Sequence, residues 1–568
     1  MPKRHWNLFV ISLTACLLCT DTTSGLSVHW LTSPILTAFL LSWPTSLFPV
    51  RIRPFVQLIL GEILIAVCLI DCYCQEFIGS SITPQIMTSI LLSDARETYE
   101  FLSAFVGFNV VLRWRIAFLL LLALLLPISC FVKWKPTQTL ANKELRYTWV
   151  AFLSLCAACE ILAIYKFSQL FMQKQKMEHL EGLIFRHYHQ ETPTPLHRLF
   201  FAYYASVQSG DVLREIKQTT FKAGIDSCYY VSPHIVLVIG ESYNKHHSSL
   251  YGYRLPTTPL QSRRKNNGEL SVFTDIVTPW NITSNVFIDM FSLWEHGSRH
   301  HLSAYPLFPI LFRRAGYQVT FFSNQYLLRG FRRGATNQAG HFFLADQEVS
   351  DSLFSYRNRK SSKYDLGLVN QLKQFRENTA HAEYNLDIVH LVGQHFKYSV
   401  RYPHEQSFFS AADYQDRDLD DDARKIVMQY DNATHYNDIV LDSILTLYEH
   451  DDAIVIYVAD HGEEAYDELA IHGRLFQEPT AIQAKNEFEV PMWIWCSRNY
   501  RDNHPEIVSA IRSSFSKAFL TDGIPQILLY LAGIKCAWTD DKHNLLSPHY
   551  QPKQRIIGGG VDYDILTK

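Results

Sequence analysis

Within its first 170 residues this chain places five apolar runs, at 6–20, 31–50, 54–70, 116–132 and 148–165, and no other feature constrains its fold so strongly. About 20 predominantly apolar residues in a helix cross a bilayer core, because no backbone group can stay unpaired in hydrocarbon. The fourth run reads IAFLLLLALLLPISCFV and has no charged residue. The pattern predicts five membrane helices. The first run follows Lys3 and Arg4 and has the outline of a secretory leader. Four further runs behind it make an uncleaved first helix the better reading.

Short loops rich in Lys and Arg stay on the cytoplasmic side. With the N-terminus inside, the inner loops hold Lys3, Arg4, Arg51, Arg53, Lys133, Lys135, Lys143 and Arg146, against Arg96, Arg113 and Arg115 outside, eight to three. An odd number of spans then places everything after residue 170 outside the cytoplasm. Glu62 and Glu160 fall within spans, where a carboxylate is either functional or paired across helices. The outer loop, 71–115, contains a helical stretch near 84–105 suited to the membrane surface. The resulting division is 1–167 membrane domain, 168–230 bridging connector and 231–568 extracytoplasmic domain.

Charge and residue usage separate these parts. The net charge of −3 has no basic field behind it, which excludes nucleic acid as a partner. Residues 1–170 hold only two of the 24 His but eight of the 11 Cys, so the chemistry belongs to the later part, which has too few Cys for a disulfide framework. There, short β-branched runs at 235–240, 317–322, 386–392, 453–459 and 490–495 alternate with helical patterns such as 424–449. Near-continuous apolar strands between helices predict an α/β sheet covered on both faces.

In such sheets ligands bind beyond the carboxyl ends of the strands. The first strand ends in Glu241-Ser242, the third in Gly393-Gln394-His395 and the fourth in Asp460-His461-Gly462-Glu463-Glu464. Glu241, Asp460 and His461 supply two oxygens and a nitrogen, a set suited to Zn²⁺ or a similar divalent ion. A fourth group is sought in TDIVTPWNITSNVFIDMFSLW, where Thr283 stands at the expected helix start. Its hydroxyl is either a metal-activated nucleophile or, like that of Ser284, an N-cap.

VIGES (238–242), SLYGYRLPTTP (249–259), AGYQVTFFSNQ (315–325), VHLVGQHFKYSVRYP (389–403), YDNATHYND (430–438) and VADHGEEAYD (458–467) occur in order along the chain. Together they resemble the membrane-bound phosphoethanolamine transferases of the alkaline-phosphatase and sulfatase-like superfamily. GQHFKY and DHGEEAYD look closest to the branch that modifies the lipopolysaccharide core. The resemblance implies a five-helix membrane domain joined to a periplasmic sulfatase-like α/β domain in a bacterial inner membrane. It implies a catalytic Zn²⁺ on Glu241, Asp460 and His461, with Thr283 as both ligand and nucleophile. It also implies that His395 and His472 contact the substrate, that Glu97 and Glu100 meet it in the outer loop, and that the chain acts as a monomer. The reaction would pass phosphoethanolamine from phosphatidylethanolamine to lipopolysaccharide through a covalent phosphothreonine, releasing diacylglycerol. Two departures touch the acceptor: Pro-Trp-Asn-Ile precedes Thr283 where lipid A-modifying members have Cys and small residues, and only Cys228, Cys496 and Cys536 remain outside the membrane part. The rivals are a phosphoglycerol transferase of the lipoteichoic-acid-synthase type, a related sulfatase-fold phosphodiesterase and a non-catalytic tethered binding protein. A sulfatase proper needs a C/S-x-P-x-R nucleophile context, absent at Thr283-Ser284-Asn285-Val286-Phe287.

Overall fold

A computed structural model describes residues 4–20, 29–78, 81–82, 86–87, 108–131, 143–172, 194–325, 346–379, 382–475, 479–558 and 560–568. The chain forms two compact units, one essentially of residues before Val207 and the other essentially of residues from Val207 on.

The first unit is helical. α1 (Arg4–Leu18), α2 (His29–Ser42), α3 (Arg53–Tyr73), α4 (Trp114–Phe131) and α5 (Lys143–Met172) fall on the five apolar runs. Arg53–Phe77 and Trp114–Phe131 are long and apolar enough to cross a membrane, whereas Trp6–Leu18 and Val150–Leu162 are shorter apolar stretches. Leu8 and Cys16 of α1, Leu64 and Cys68 of α3, and Leu119 and Leu126 of α4 are buried in one cluster. Two buried carboxylates in this apolar setting are paired. Asp71 of α3 is fully buried on Arg198 of α6 (Pro195–Lys222) and also accepts from Gln75 Nε2 at 2.8 Å and the Ile82 N–H at 3.0 Å. Glu160 of α5 accepts from the Ser33 hydroxyl of α2 and lies 2.8 Å from His197 Nε2, so the carboxylate singled out in the fifth run is paired across helices. The helix expected near 84–105, with Glu97 and Glu100, lies almost wholly outside the described residues. Of the expected connector, α6 accounts for the later half.

The second unit is built on a seven-stranded sheet. β1 (His234–Gly240), β2 (Leu270–Phe273), β3 (Gln318–Ser323), β4 (Tyr356–Arg357), β5 (Asn385–His390), β6 (Ala453–Ala459) and β7 (Met492–Cys496) stand in the order β2-β7-β6-β1-β5-β3-β4. β1, β3, β4, β5 and β6 are parallel, and β7 is antiparallel to both β6 and β2. The antiparallel edge has a physical reason: the chain between β6 and β7 contains only short elements, and a parallel return needs a long crossover, usually a helix. Ile235 to Ile239 and the whole of β6 are buried, as the continuous apolar runs require. Gly240 pairs with Ala459 and Ile239 with His390, so Glu241, Asp460 and the turn after β5 leave the sheet side by side.

Behind that edge lies a buried ion network. His247 Nδ1 is 2.6 Å from Asp431 on α9 (Asp421–Leu447), and its Nε2 is 2.9 Å from Asp467. Burial works against a charged imidazole here, but Asp467 and Asp431 outweigh it and push the His247 pKa up to about 10. Because the folded value is raised, the stabilisation is complete below the ordinary histidine value of about 6.5 and is lost as pH rises towards 10. Thermal unfolding of the full chain should therefore fall from pH 7 to pH 10. His247→Gln should flatten that fall and, by leaving buried carboxylates uncompensated, should destabilise the protein at pH 7 by roughly 3–5 kcal/mol. An unchanged pH slope in the variant would refute this role for the imidazolium.

Candidate active site

Glu241, Asp460 and His461 are fully buried, and one ligand atom from each lies within 4.8 Å of the others. The register of β1 against β6 brings them together. Thr283 joins them from the first position of α7 (Thr283–Phe291). The N-cap position falls on Ile282, which has no side-chain acceptor, so neither Thr283 nor Ser284 is spent on capping. Thr283 Oγ1 donates to Glu241 Oε2 at 3.1 Å and lies 3.2 Å from His461 Nε2. His461 Nδ1 sits 2.8 Å from the Gly462 carbonyl and so carries the ring proton, leaving the Nε2 lone pair to face the cluster.

These residues fit a divalent metal. Asp460 Oδ2 is buried with no hydrogen-bond partner, an expensive state for a carboxylate oxygen unless a cation is added. Burial and the neighbouring Glu241 raise the Asp460 pKa well above the usual carboxylate range. Among the described residues the guanidinium that reaches the cluster is that of Arg474, which donates from Nη1 to His461 Nε2 at 2.6 Å and to the Asn281 carbonyl at 3.0 Å. Two carboxylate oxygens, one imidazole nitrogen and one hydroxyl suit Zn²⁺, with the Gly462 carbonyl orienting the imidazole.

Further contacts hold these groups in place. Glu241 accepts from the Ser242 hydroxyl at 2.6 Å and from Gln325 Nε2 at 2.8 Å. Asp365, at the start of α8 (Asp365–Asn378), accepts the Val392 N–H at 3.0 Å and the Gly393 N–H at 2.9 Å, fixing the turn after β5. Gly393 has φ of +43°, and a Cβ there would come within 2.8 Å of the Glu241 carbonyl, so only glycine lets the turn approach the ligand so closely. The segment before Thr283 is fastened by side chains. Trp280 Nε1 donates to Asp289 at 2.9 Å, and Asn281 Nδ2 donates to Glu487 at 2.6 Å. Cys228, Cys496 and Cys536 are all unbridged.

His395 and His472 lie at the rim. His395 Nδ1 is 2.6 Å from the Phe396 carbonyl, leaving Nε2 as the acceptor. His472 belongs to a small hairpin of Glu464–Ala465 with His472–Gly473 and packs 5.3 Å from the Phe396 ring. Burial pushes both imidazoles down to about 4, so both are neutral at pH 7. Gln325, Arg474 and the Asn281–Glu487 contact were not expected. Gln325 ends the AGYQVTFFSNQ motif just past β3, a strand-end signal that was available, whereas Arg474 sits in a loop and Glu487 in the short helical turn Ala484–Phe488, neither with a periodic signature.

The Sulfatase family model matches residues 233–531. Phosphoethanolamine transferase EptC of Escherichia coli (strain K12) is 29% identical over 346 residues, 58% of this chain, and the chain spans 57% of that relative's length. Phosphoethanolamine transferase CptA of Salmonella typhimurium is 25% identical over 537 residues, 92% of this chain and 88% of CptA. Among solved structures, the integral membrane protein lipooligosaccharide phosphoethanolamine transferase A (EptA) from Neisseria meningitidis aligns with a TM-score of 0.65 at 17% identity, over 97% of this chain and 99% of its own, which is a likeness of fold. The C-terminal periplasmic domain of EcEptC from Escherichia coli, in complex with Zn, aligns with a TM-score of 0.50 at 24% identity, over 59% of this chain and 93% of its own.

The geometry predicts that Asp460→Ala and Glu241→Ala purify without bound metal yet stay folded, because each removes one buried oxygen of the cluster. Metal analysis of the purified variants is the check, and a full complement of metal in Asp460→Ala would remove these residues from the ligand set.

Proposed function

Because the chain belongs to the sulfatase family, we propose that it is a membrane-bound, zinc-dependent phosphoethanolamine transferase, taking its group from phosphatidylethanolamine and passing it to lipopolysaccharide. The observation that carries this reading is the Thr283 hydroxyl at a helix start, directed at a buried Glu241, Asp460 and His461 cluster. A threonine there favours phosphoryl transfer over sulfate-ester hydrolysis, which needs the C/S-x-P-x-R context this chain lacks. The choice of phosphoethanolamine is supported by CptA, whose similarity extends over most of both chains.

In this mechanism Glu241, Asp460, His461 and Thr283 would hold Zn²⁺, which when bound would lower the pKa of the Thr283 hydroxyl and offset negative charge on phosphorus. Thr283 Oγ1 gives up its proton and attacks the phosphorus of the phosphodiester. The bond from phosphorus to the diacylglycerol oxygen breaks, and that oxygen takes a proton as diacylglycerol leaves. An acceptor hydroxyl or phosphate oxygen then attacks the phosphothreonine, and Thr283 regains its proton as the bond to Oγ1 breaks. The N-terminus of α7 favours the phosphoryl charge throughout. His395 and His472, neutral at the rim, serve as hydrogen-bonding contacts for the substrate.

The same reading assigns a five-span, N-inside topology with the catalytic domain periplasmic, supported by the eight-to-three loop charges and by two helices long enough to cross. A reporter active only outside the cytoplasm, fused after Lys568, should be active, and activity of a cytoplasm-specific reporter there would refute the topology.

The chemistry is tested at Thr283. Purified protein given phosphatidylethanolamine without acceptor should gain one phosphoethanolamine on the Thr283 peptide and release diacylglycerol. Thr283→Ala should abolish this while remaining folded, and Thr283→Ser should retain part of it. An adduct on Ser284 or Ser242, or an active Thr283→Ala, would overturn the mechanism, and consumption of phosphatidylglycerol instead would replace the donor.

A further inference from the structure

Arg474 has no counterpart among the expected site residues, yet it reaches the centre of the cluster. Its Nη1 and the Thr283 hydroxyl converge on the same atom, His461 Nε2, at 2.6 and 3.2 Å. Its second anchor is the Asn281 carbonyl, two residues before Thr283. Burial works against its charge, but Glu463, Glu241, Asp460 and Glu487 outweigh that, so the guanidinium stays charged. No other described residue supplies a free cation here: His395 and His472 are neutral, and Arg401 is spent on the carbonyls of His395 at 2.6 Å and Phe396 at 2.8 Å.

One of Arg474's two contacts is provisional. The Nε2 lone pair that accepts from Nη1 is the one a metal would take, and a ligated nitrogen can no longer accept a hydrogen bond. A loaded site therefore releases that N–H beside Thr283, still tethered near the Asn281 carbonyl. A guanidinium offers a planar fork of donors matched to two phosphate oxygens. We propose that Arg474 grips the non-bridging oxygens of the phosphoryl group as it passes to and from Thr283. The assignment rests on the transfer reaction proposed above. Arg474 makes no covalent bond and gives up no proton. Its part is to hold charge that grows on those oxygens in the transition state.

The test uses the full chain in detergent, loaded with zinc, as parent, Arg474→Ala and Arg474→Lys. Three quantities are compared: zinc content, the affinity of inorganic phosphate by calorimetry, and kcat and KM for phosphatidylethanolamine consumption. Equal zinc in all three is expected. Arg474→Ala should bind phosphate at least tenfold more weakly and lose about 100-fold in kcat. Arg474→Lys, which keeps the charge without the fork, should fall between. Parental phosphate affinity in Arg474→Ala overturns the proposal, as does loss of zinc, which would make Arg474 a support of the metal cluster instead. If Arg474→Ala does not fold, parental phosphate affinity and kcat in Arg474→Lys overturn it. A parent that binds zinc and phosphate but consumes no phosphatidylethanolamine refutes the transfer reaction, while the phosphate comparison still judges Arg474.

Discussion

Two carboxylates, Glu241 and Asp460, are buried against one imidazole, and the second unit is organised around that demand for a cation. Removing an ionised carboxylate from water costs several kcal/mol even after relaxation, so such a pair persists only where the fold enforces it. The enforcement is the register of β1 on β6, which leaves the two residues no choice but to emerge together. Ser242, just past Glu241, has φ of +55°, an unfavourable conformation for a residue with a side chain. It is held there from both sides: its N–H donates to Asp460 Oδ1 at 3.1 Å, and its carbonyl accepts from the Tyr430 hydroxyl at 2.6 Å. Tyr430 packs against His247, so the buried ion network and the metal-type cluster support each other through the backbone of a single residue.

The nucleophile's helix meets a different problem, since all nine residues of α7 are buried and its leading segment is irregular. Hydrogen bonds do there what disulfides would otherwise do. Asp289 receives Trp280 at 2.9 Å and His296 at 3.0 Å, tying the two ends of the helix to one carboxylate. Past the helix, Lys553 reaches both Glu295 and Asp522 at 2.8 Å, and the His296 N–H donates to Asp522 at 2.8 Å. Pro-Trp-Asn-Ile before Thr283 is thus a bracing sequence: Trp280 and Asn281 each supply a donor, where a cysteine would supply a covalent bond.

How much of this was legible depended on whether the signal was local. Five strands and α9 could be read because a strand covered on both faces must be apolar throughout, and residues at the ends of such strands converge whatever the intervening loops do. Glu241, Asp460 and His461 were recoverable on that ground alone. Thr283 required the change from irregular to helical pattern, and its alternative reading as a cap fell away only when Ile282 was found in the capping position. The antiparallel direction of β7 was hidden, since a buried strand has the same composition either way round. Arg474, Glu487 and Asp365 were hidden for another reason: each reaches a partner more than 20 residues away in sequence, from a loop, a short helical turn or a helix start whose local pattern says nothing of that partner. In the first unit the apolar runs marked the helices, and among the described residues two of them have the length and hydropathy to cross a membrane by themselves.

Charge also orders events in the proposed reaction. Arg474 is faced by the carboxyl groups of Glu241, Asp460, Glu463 and Glu487, and each of these that is ionised without a cation adds negative charge to the site. At separations near 4 Å each uncompensated unit charge repels an anion by about 4 kcal/mol at the effective dielectric of a protein surface. A phosphodiester approaching such a site before its carboxylates are neutralised is turned away. A metal held by Glu241, Asp460 and His461 would therefore have to bind before the donor, and it would also free the guanidinium from His461. In the proposed reaction the remaining difficulty would be encounter, because the proposed donor is a lipid confined to a membrane leaflet. Helices anchored in that membrane would convert a search through solution into one across a surface, raising the effective concentration of the proposed donor without any new contact at the site.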